Sequence, residues 1–415
     1  MSILTSFALL FLCSILLKQI CEKLSLPPLM GYLCIGIGLG PYILNLISPQ
    51  ILEWSPDIRQ FALVVILTRA GLGLDFSALR KNGRSALLLC FVPACFEILA
   101  YCLFGWILGL DVVNSALLGA VIAAVSPAVV VPRMLKISKE GYGVKKGIPQ
   151  MIMAGSSVDD VFVITMFTAF LSMCQGSGFS WEVVWKVPVS IVAGIAVGIF
   201  VGLFITKFIQ EFNLSNLLLL VSLSFLFVWL EKLEIFPYSG LLSIMTMMAV
   251  YSHKNKKVGK EFSNAYNNLW FVAEMLLFIL VGSAVDLAYA KASFLSALFV
   301  LILGLLFRMA GTFICVLGTK LNFKERLFCM ISYCPKATVQ AGIGAVALGA
   351  GLASGSIILT VAVLSILFTA PIGAYVIDHV YKKLLTLDVD YVEKDLEINL
   401  EIIPTMPTEL ECNEA

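Results

Sequence analysis

Hydrophobic residues in this chain form long unbroken runs rather than the one-sided stripes of a soluble helix. Thirteen runs follow one another, at about 3–20, 28–47, 60–78, 85–109, 114–135, 150–174, 183–206, 214–231, 236–252, 267–289, 293–318, 327–350 and 355–380. Each is near the ~20 residues that carry an α-helix across a bilayer. The pattern predicts an all-α polytopic membrane protein of about 13 transmembrane helices.

The basic residues orient these runs. With the N-terminus outside, the inner loops collect Lys18 and Lys23, Arg80, Lys81 and Arg84, Arg133 to Lys146, Lys207, Lys254 to Lys260, Lys320 to Arg326, and Lys382 and Lys383, while the outer loops keep Arg59, Lys186, Lys232 and Lys291. So lopsided a split predicts an odd number of spans and a cytoplasmic C-terminus. The first run is too long for a cleaved signal peptide and has no small-residue cleavage site after it. From about 384 the chain turns acidic (Asp388, Asp390, Glu393, Asp395, Glu397). The expected organisation is a transmembrane domain over 1–383 and an acidic cytoplasmic tail over 384–415, in a plasma (inner) membrane.

Composition agrees on the solvent. The chain is 60% hydrophobic, and its charged fraction of 13% is half that of soluble domains, so most of it lies in lipid. A net charge of +1 provides no basic stripe with which to displace the counterions of nucleic acid. The 11 cysteines are scattered mainly through apolar runs, as core residues are, and only two histidines occur, so neither a disulfide frame nor a transition-metal site is expected.

Against this background the charges at membrane depth stand out: Arg69, Glu97, Asp159, Asp160, Glu274, Arg308 and Lys336, with Asp75 near a helix end. A charge at the centre of a membrane helix costs about 2.5 to 3.5 kcal/mol on insertion scales, so such residues face one another or a watery path. Acids and bases nearly balance, which suggests pairing. The adjacent Asp159 and Asp160 lie ~100° apart around their helix, so one can face a cavity while the other faces a neighbouring helix. Two acids this close titrate as a coupled pair. A site able to hold either a proton or a hard cation is the minimal machinery of exchange.

Two runs are interrupted. Ala124-Val-Ser-Pro-Ala-Val-Val-Val-Pro132 places Pro127, which removes a helix hydrogen bond, beside the hydroxyl of Ser126; Cys334-Pro-Lys-Ala-Thr-Val-Gln-Ala-Gly-Ile-Gly344 places Pro335 before a polar stretch at similar depth. Interrupted helices in corresponding positions of two halves point to a midplane ion site in an inverted-repeat transporter.

Five ordered motifs now carry a resemblance: Arg69-Ala-Gly-Leu-Gly-Leu-Asp75, the Ala124 to Pro132 segment, Gly141-Tyr-Gly-Val-Lys-Lys-Gly-Ile-Pro149, the Gly155 to Asp160 segment and Pro335-Lys-Ala-Thr-Val-Gln-Ala341. Over roughly 60–350 the chain resembles the sodium/proton antiporter (NHA) branch of the monovalent cation:proton antiporter superfamily. The resemblance implies inverted repeats with two crossing broken helices. It implies a homodimer of interleaved dimer and core subdomains, the core at about 60–175 and 267–350, and no cofactor beyond the transported sodium or lithium and protons. It assigns Asp160 as the indispensable ion and proton carboxylate and Asp159 as the second acid of the electrogenic type, both contacting sodium. Ser126 and Thr338 become oxygen ligands, Glu97 and Arg308 a helix-to-helix ion pair, and Lys336 the basic residue of the second broken helix. Where many bacterial members carry lysine, this chain has Arg308, which stays protonated. Glu274 reads as access or structure. The alternatives are electroneutral sodium or potassium/proton exchange and a solute carrier on the same fold. An intramembrane aspartyl protease fits poorly, since its two acids come from two helices.

Overall fold

The computed structural model describes residues 2–24, 26–74, 83–176, 181–233 and 235–388. Asp75 and the acidic segment from 389 onward lie outside the described residues.

Every expected apolar run holds a helix or a pair of helices. α1 (Ile3–Lys23), α2 (Pro28–Leu39), a short α3 (Pro49–Glu53) and α4 (Ser55–Gly73) fill the first three runs. α5 (Gly83–Leu89) and α6 (Val92–Phe104) share the fourth, and α7 (Val112–Ala123) and α8 (Pro127–Lys139) share the fifth. α9 (Ile148–Gln175), α10 (Trp181–Phe208), α11 (Leu214–Lys232), α12 (Gly240–Lys254) and α13 (Lys256–Ser283) follow as single helices. After a short α14 (Leu287–Ala292) come α15 (Phe294–Cys315), the pair α16 (Phe323–Ser332) and α17 (Thr338–Gly349), and finally α18 (Gly355–Leu384).

Nine helical units among the described residues are long and apolar enough to cross a bilayer by themselves, not thirteen. The other four runs fall short for local reasons. α2 and α12 have only 12 and 15 residues. α4 carries Asp57, Arg59 and Arg69 within its 19 residues. The run at 327–350 is divided between α16 and α17, of 10 and 12 residues.

Packing places the two divided runs face to face. α6 lies between α7 and α15, α9 packs on α7 and α8, and α17 packs on α18 and α4. α2, α4, α12 and α13 form a second packed group, with α10 on α12. At the end of the molecule that holds the 140–147 loop, several contacts tie the loop and α8 to α16, α18 and the chain after it. Lys146 Nζ donates to Glu325 Oε1 at 2.8 Å and Arg133 Nε to Asp378 Oδ2 at 3.1 Å. The chain beyond α18 folds back on the same loop, where Gly143 N–H donates to Thr386 O (2.8 Å), Asp388 N–H to Gly141 O (2.9 Å), and Tyr142 pairs with Leu387 in an isolated antiparallel bridge.

The α6–α15 contact brings Glu97 to Arg308. Small residues make the approach possible, as they do generally between membrane helices. A Cβ on Gly304 would sit 2.9 Å from the Tyr101 ring, and one on Gly311 would sit 2.9 Å from Pro93 Cα, a backbone atom that cannot rotate away. Gly311→Leu is therefore expected to separate the two helices and to cost about 1 to 3 kcal/mol through overpacking. The check is thermal melting in detergent, followed by size-exclusion chromatography. An unchanged melting temperature would show that α6 and α15 do not depend on this contact.

Candidate functional site

Both divided runs open at the same place. α7 stops at Ala123, residues 124–126 are extended, and α8 begins with Pro127 at its first position, where a missing N–H costs nothing. α16 stops at Ser332 and α17 begins at Thr338 after a non-helical crossing over 333–337. The interruptions touch directly: Ser126 N–H donates to Pro335 O at 2.8 Å. Each break leaves a C-terminal helix end with orphan carbonyls and an N-terminal end with orphan N–H groups. In a bilayer core these need partners from the protein.

Arg308, buried within α15, supplies a partner to one carbonyl of each break. Its Nη1 donates to Ala123 O at the end of α7 and its Nε to Tyr333 O just past α16. The same guanidinium donates through Nη1 to Glu97 Oε2 at 2.9 Å and through Nη2 to Asp159 Oδ2 at 3.0 Å. A cation at two helix C-termini also complements their dipoles. Gln340 completes the arrangement: its Nε2 donates to Ala124 O at 2.5 Å and Ile122 O at 3.3 Å, while its Oε1 accepts from Ala337 N–H at 2.8 Å. One side chain thus caps the start of α17 and the end of α7.

Lys336 lies in the second crossing. Its Nζ donates to Glu97 Oε2 at 2.6 Å, so Glu97 is shared between the two bases, and its backbone N–H donates to Thr369 Oγ1 at 2.9 Å. Asp159 Oδ2 accepts a further bond from Val125 N–H in the first crossing, at 2.7 Å.

Asp160 is different. It is 6% exposed, has no ion-pair partner among the described residues, and its Oδ1 is buried without a hydrogen bond. Asp159 Oδ1, Ser126 Oγ and Glu97 Oε1 are likewise buried with no hydrogen-bond partner among the described residues. Thr338 opens α17 at 3% exposure. The buried charges at the crossing are three acids, Glu97, Asp159 and Asp160, against two bases, Arg308 and Lys336. The uncompensated one belongs to Asp160, which no ion pair holds among the described residues.

Ser126, Thr338, Glu97, Asp159, Asp160, Arg308 and Lys336 are therefore all buried at or beside one crossing, and Arg69 and Glu274 are not among them. Gln340 was not singled out. A glutamine three residues into a helix that starts from a break is half of a capping box, and that signal was available in the sequence.

Comparison with known proteins fits this geometry. Residues 7–383 match the family described as “Sodium/hydrogen exchanger, transmembrane”. The chain belongs to the sodium/hydrogen exchanger family. As a member it is a multi-pass cation/proton antiporter of the monovalent cation:proton antiporter superfamily and not an enzyme. The exchanger is 35% identical to Sodium/hydrogen exchanger 9B2 of Mus musculus over 392 residues, 90% of this chain and 71% of that one. It is 35% identical to the 9B2 exchanger of Homo sapiens over 421 residues, 95% and 77% of the two chains. Its fold matches the sodium proton antiporter MjNhaP1 from Methanocaldococcus jannaschii with a TM-score of 0.77 at 20% identity, covering 90% of this chain and all of that one.

The shared position of Arg308 yields a test. Removing one member of a buried pair leaves an uncompensated charge, at about 3 to 5 kcal/mol. Arg308→Met additionally orphans the Ala123 and Tyr333 carbonyls, so it should destabilise the exchanger more than Glu97→Gln, which leaves both carbonyls bonded. The double variant should lose less than the sum of the two. Melting temperatures of the three variants provide the cycle, and strict additivity would mean that the two side chains do not act on one another.

Proposed function

We propose that the exchanger trades sodium or lithium for protons at Asp159 and Asp160, with Asp160 as the carboxylate that alternates between a proton and the cation. The observation that carries this reading is the charge count at the crossing. Among the described residues three buried acids face two buried bases, and the acid in surplus has an oxygen without a hydrogen bond and no ion-pair partner. A proton or a monovalent cation restores neutrality equally well, which is what exchange at one site requires. The free oxygens of Asp159 and Ser126, with Thr338 at the start of α17, are the hard ligands that an alkali cation takes. The name of the archaeal structural match, a sodium proton antiporter, points the same way.

On this reading exchange is electrogenic when Asp159 also takes up a proton, letting go of Arg308 in that state, so that one sodium replaces two protons. The bond from Arg308 to Asp159 at 3.0 Å favours a second reading, in which Asp159 stays ionised and exchange is one for one. Substrate access alternates by movement of an ion-carrying core against a dimer-forming part within 1–383. The protein works as a homodimer in the plasma (inner) membrane, N-terminus outside. The basic loops support that orientation.

The experiment is cation-driven proton movement in proteoliposomes carrying a pH dye. Asp160→Asn is expected to abolish sodium-dependent proton flux while leaving melting behaviour close to wild type; flux above that of empty vesicles would refute the assignment of Asp160. Because protons and sodium compete for the same oxygens, the sodium KM of the wild type should rise as pH falls. A KM independent of pH would remove competition from the mechanism.

Currents on a solid-supported membrane separate the two stoichiometries. The electrogenic reading expects sodium-evoked current from the wild type and, for Asp159→Asn, residual transport that no longer responds to membrane potential. An active wild type without current leaves one-for-one exchange.

A further inference from the structure

Glu325, in the first turn of α16, takes no part in the crossing yet is wholly buried. Both of its oxygens accept from Lys146 Nζ at 2.8 Å. Its Oε2 also accepts from Asn322 N–H at 2.8 Å, the return half of a capping box in which Asn322 Oδ1 accepts from Glu325 N–H at 2.9 Å. The Thr386 hydroxyl reaches Oε1 at 3.5 Å from the chain after α18. One carboxylate thus joins three segments far apart in sequence: the start of α16, the 140–147 loop and the strap behind α18. The Lys146 side chain is 34% exposed, so replacing it disturbs little packing.

The place of this pair bears on the ion site. Lys146 stands beside Gly147, whose left-handed backbone (φ 65°) opens α9, and Ile148 N–H donates to Gly143 O at 3.1 Å, so the loop and the start of α9 form one bonded unit. Asp159 and Asp160 follow about 20 Å further along that helix, at ~1.5 Å per residue. The other end of α16 is tied to the same helix. α16 ends at Tyr333, whose carbonyl accepts from Arg308 Nε, and Arg308 Nη2 donates to Asp159 Oδ2 at 3.0 Å. Between the two levels, Gly155 of α9 leaves no room for a Cβ, which would meet Leu89 Cβ at 2.8 Å and collide with the Tyr333 hydroxyl. α9 and α16 are therefore joined twice, by Lys146 and Glu325 where both begin and through Arg308 where Asp159 sits. A helix passes on an axial shift as a rigid element, so the first tie governs where the second falls.

We infer that Lys146 and Glu325 are a positioning pair that holds α9 at the height where its aspartates complete the ion site, and that they set the sodium affinity without touching the ion. The inference rests on the cation/proton exchange proposed above. With the pair intact, the arrangement able to bind the ion is the resting one. Without it α9 samples other heights, and the apparent dissociation constant rises as the competent fraction falls. Saturating sodium draws the population back, because the ion binds the competent arrangement best. The loss therefore falls on KM and spares Vmax. Electrostatics alone acts with the opposite sign: taking a positive charge away from the loop makes a cation easier to bind. A rise in KM on removing Lys146 is thus an effect of position and not of field.

The test is the sodium dependence of proton flux in proteoliposomes, at one pH, for the wild type, Lys146→Met, Lys146→Arg, Lys145→Met and Glu325→Gln. Lys146→Met is expected to raise the sodium KM about three- to tenfold with Vmax within a factor of about two of wild type. Lys146→Arg, which can again bond both carboxylate oxygens, should return KM to the wild-type value. Lys145→Met removes the same charge from the same loop but leaves the pair intact, since Lys145 binds Asp388 through its backbone N–H, and its KM should stay at or below wild type. Glu325→Gln keeps the capping box, which accepts glutamine at that position, and weakens the bond to Lys146; it should raise KM in the same direction and carries the test if Lys146→Met does not fold. An unchanged or lowered KM in the variants that break the pair, a loss confined to Vmax, a KM that Lys146→Arg leaves raised, or an equal rise in Lys145→Met would each overturn the inference while the exchange reading stands. A wild type that moves no protons in response to sodium would overturn the exchange reading itself and the inference with it.

Discussion

The buried guanidinium of Arg308 is what the two broken helices depend on. Breaking a helix in a bilayer core exposes backbone groups that no water can reach, at several kcal/mol each. Here the two breaks meet, and one side chain donates to a carbonyl from each, Ala123 O and Tyr333 O, while pairing with Glu97 and Asp159. Gln340 bonds two further carbonyls of the first break, Ile122 O and Ala124 O, from the second. The breaks therefore stabilise one another, and neither would be tolerable alone. The close α6–α15 contact permitted by Gly304 and Gly311 is part of the same construction, since it places Glu97 within 2.9 Å of the guanidinium.

How much of this was legible in the sequence depended on how local the signal was. Pro127 and Pro335 announce the interruptions because proline cannot donate within a helix, and the structure opens the chain at both places. The adjacent aspartates and the basic loops are equally local. The count of spans was less secure: an apolar run does not tell whether it holds one helix or two, and α4 and the 327–350 run are too charged or too divided to qualify on length and hydropathy. The sharing of Glu97 between Arg308 and Lys336 could not be read at all. Those partners lie 211 and 239 positions away in sequence, and only the packing of α6, α15 and the second crossing brings them together. The folding back of residues 385–388 onto the 140–147 loop was hidden for the same reason, because an acidic stretch after a helix looks like solvated chain until its backbone partners are known.

The same network sorts the buried charges into fixed and free ones. Arginine suits the fixed role for two reasons. It cannot lose its proton in a protein, and its five N–H donors in a rigid fork can serve four acceptors at once, whereas a lysine offers three donors from a single nitrogen. A lysine at position 308 could not reach Ala123 O, Tyr333 O, Glu97 and Asp159 together. The ion-pair role assigned to Arg308 from the sequence thus extends to holding the backbone of both crossings, a role that titration would undo.

With Arg308 fixed, the remaining freedom falls on Asp160. Asp159 is held by Arg308 and by Val125 N–H, so its carboxylate orients the first crossing while its Oδ1 stays buried and without a hydrogen bond among the described residues. Its neighbour on the next position of α9 faces ~100° away and meets neither base as an ion-pair partner. A carboxylate without a partner in a buried site is costly unless something neutralises it, and the choice of neutraliser is then set by solution: a proton when protons are abundant, a sodium ion when they are not. Exchange on this reading needs no separate sites for the two substrates. It follows from a single surplus charge in a framework whose other charges are already paired.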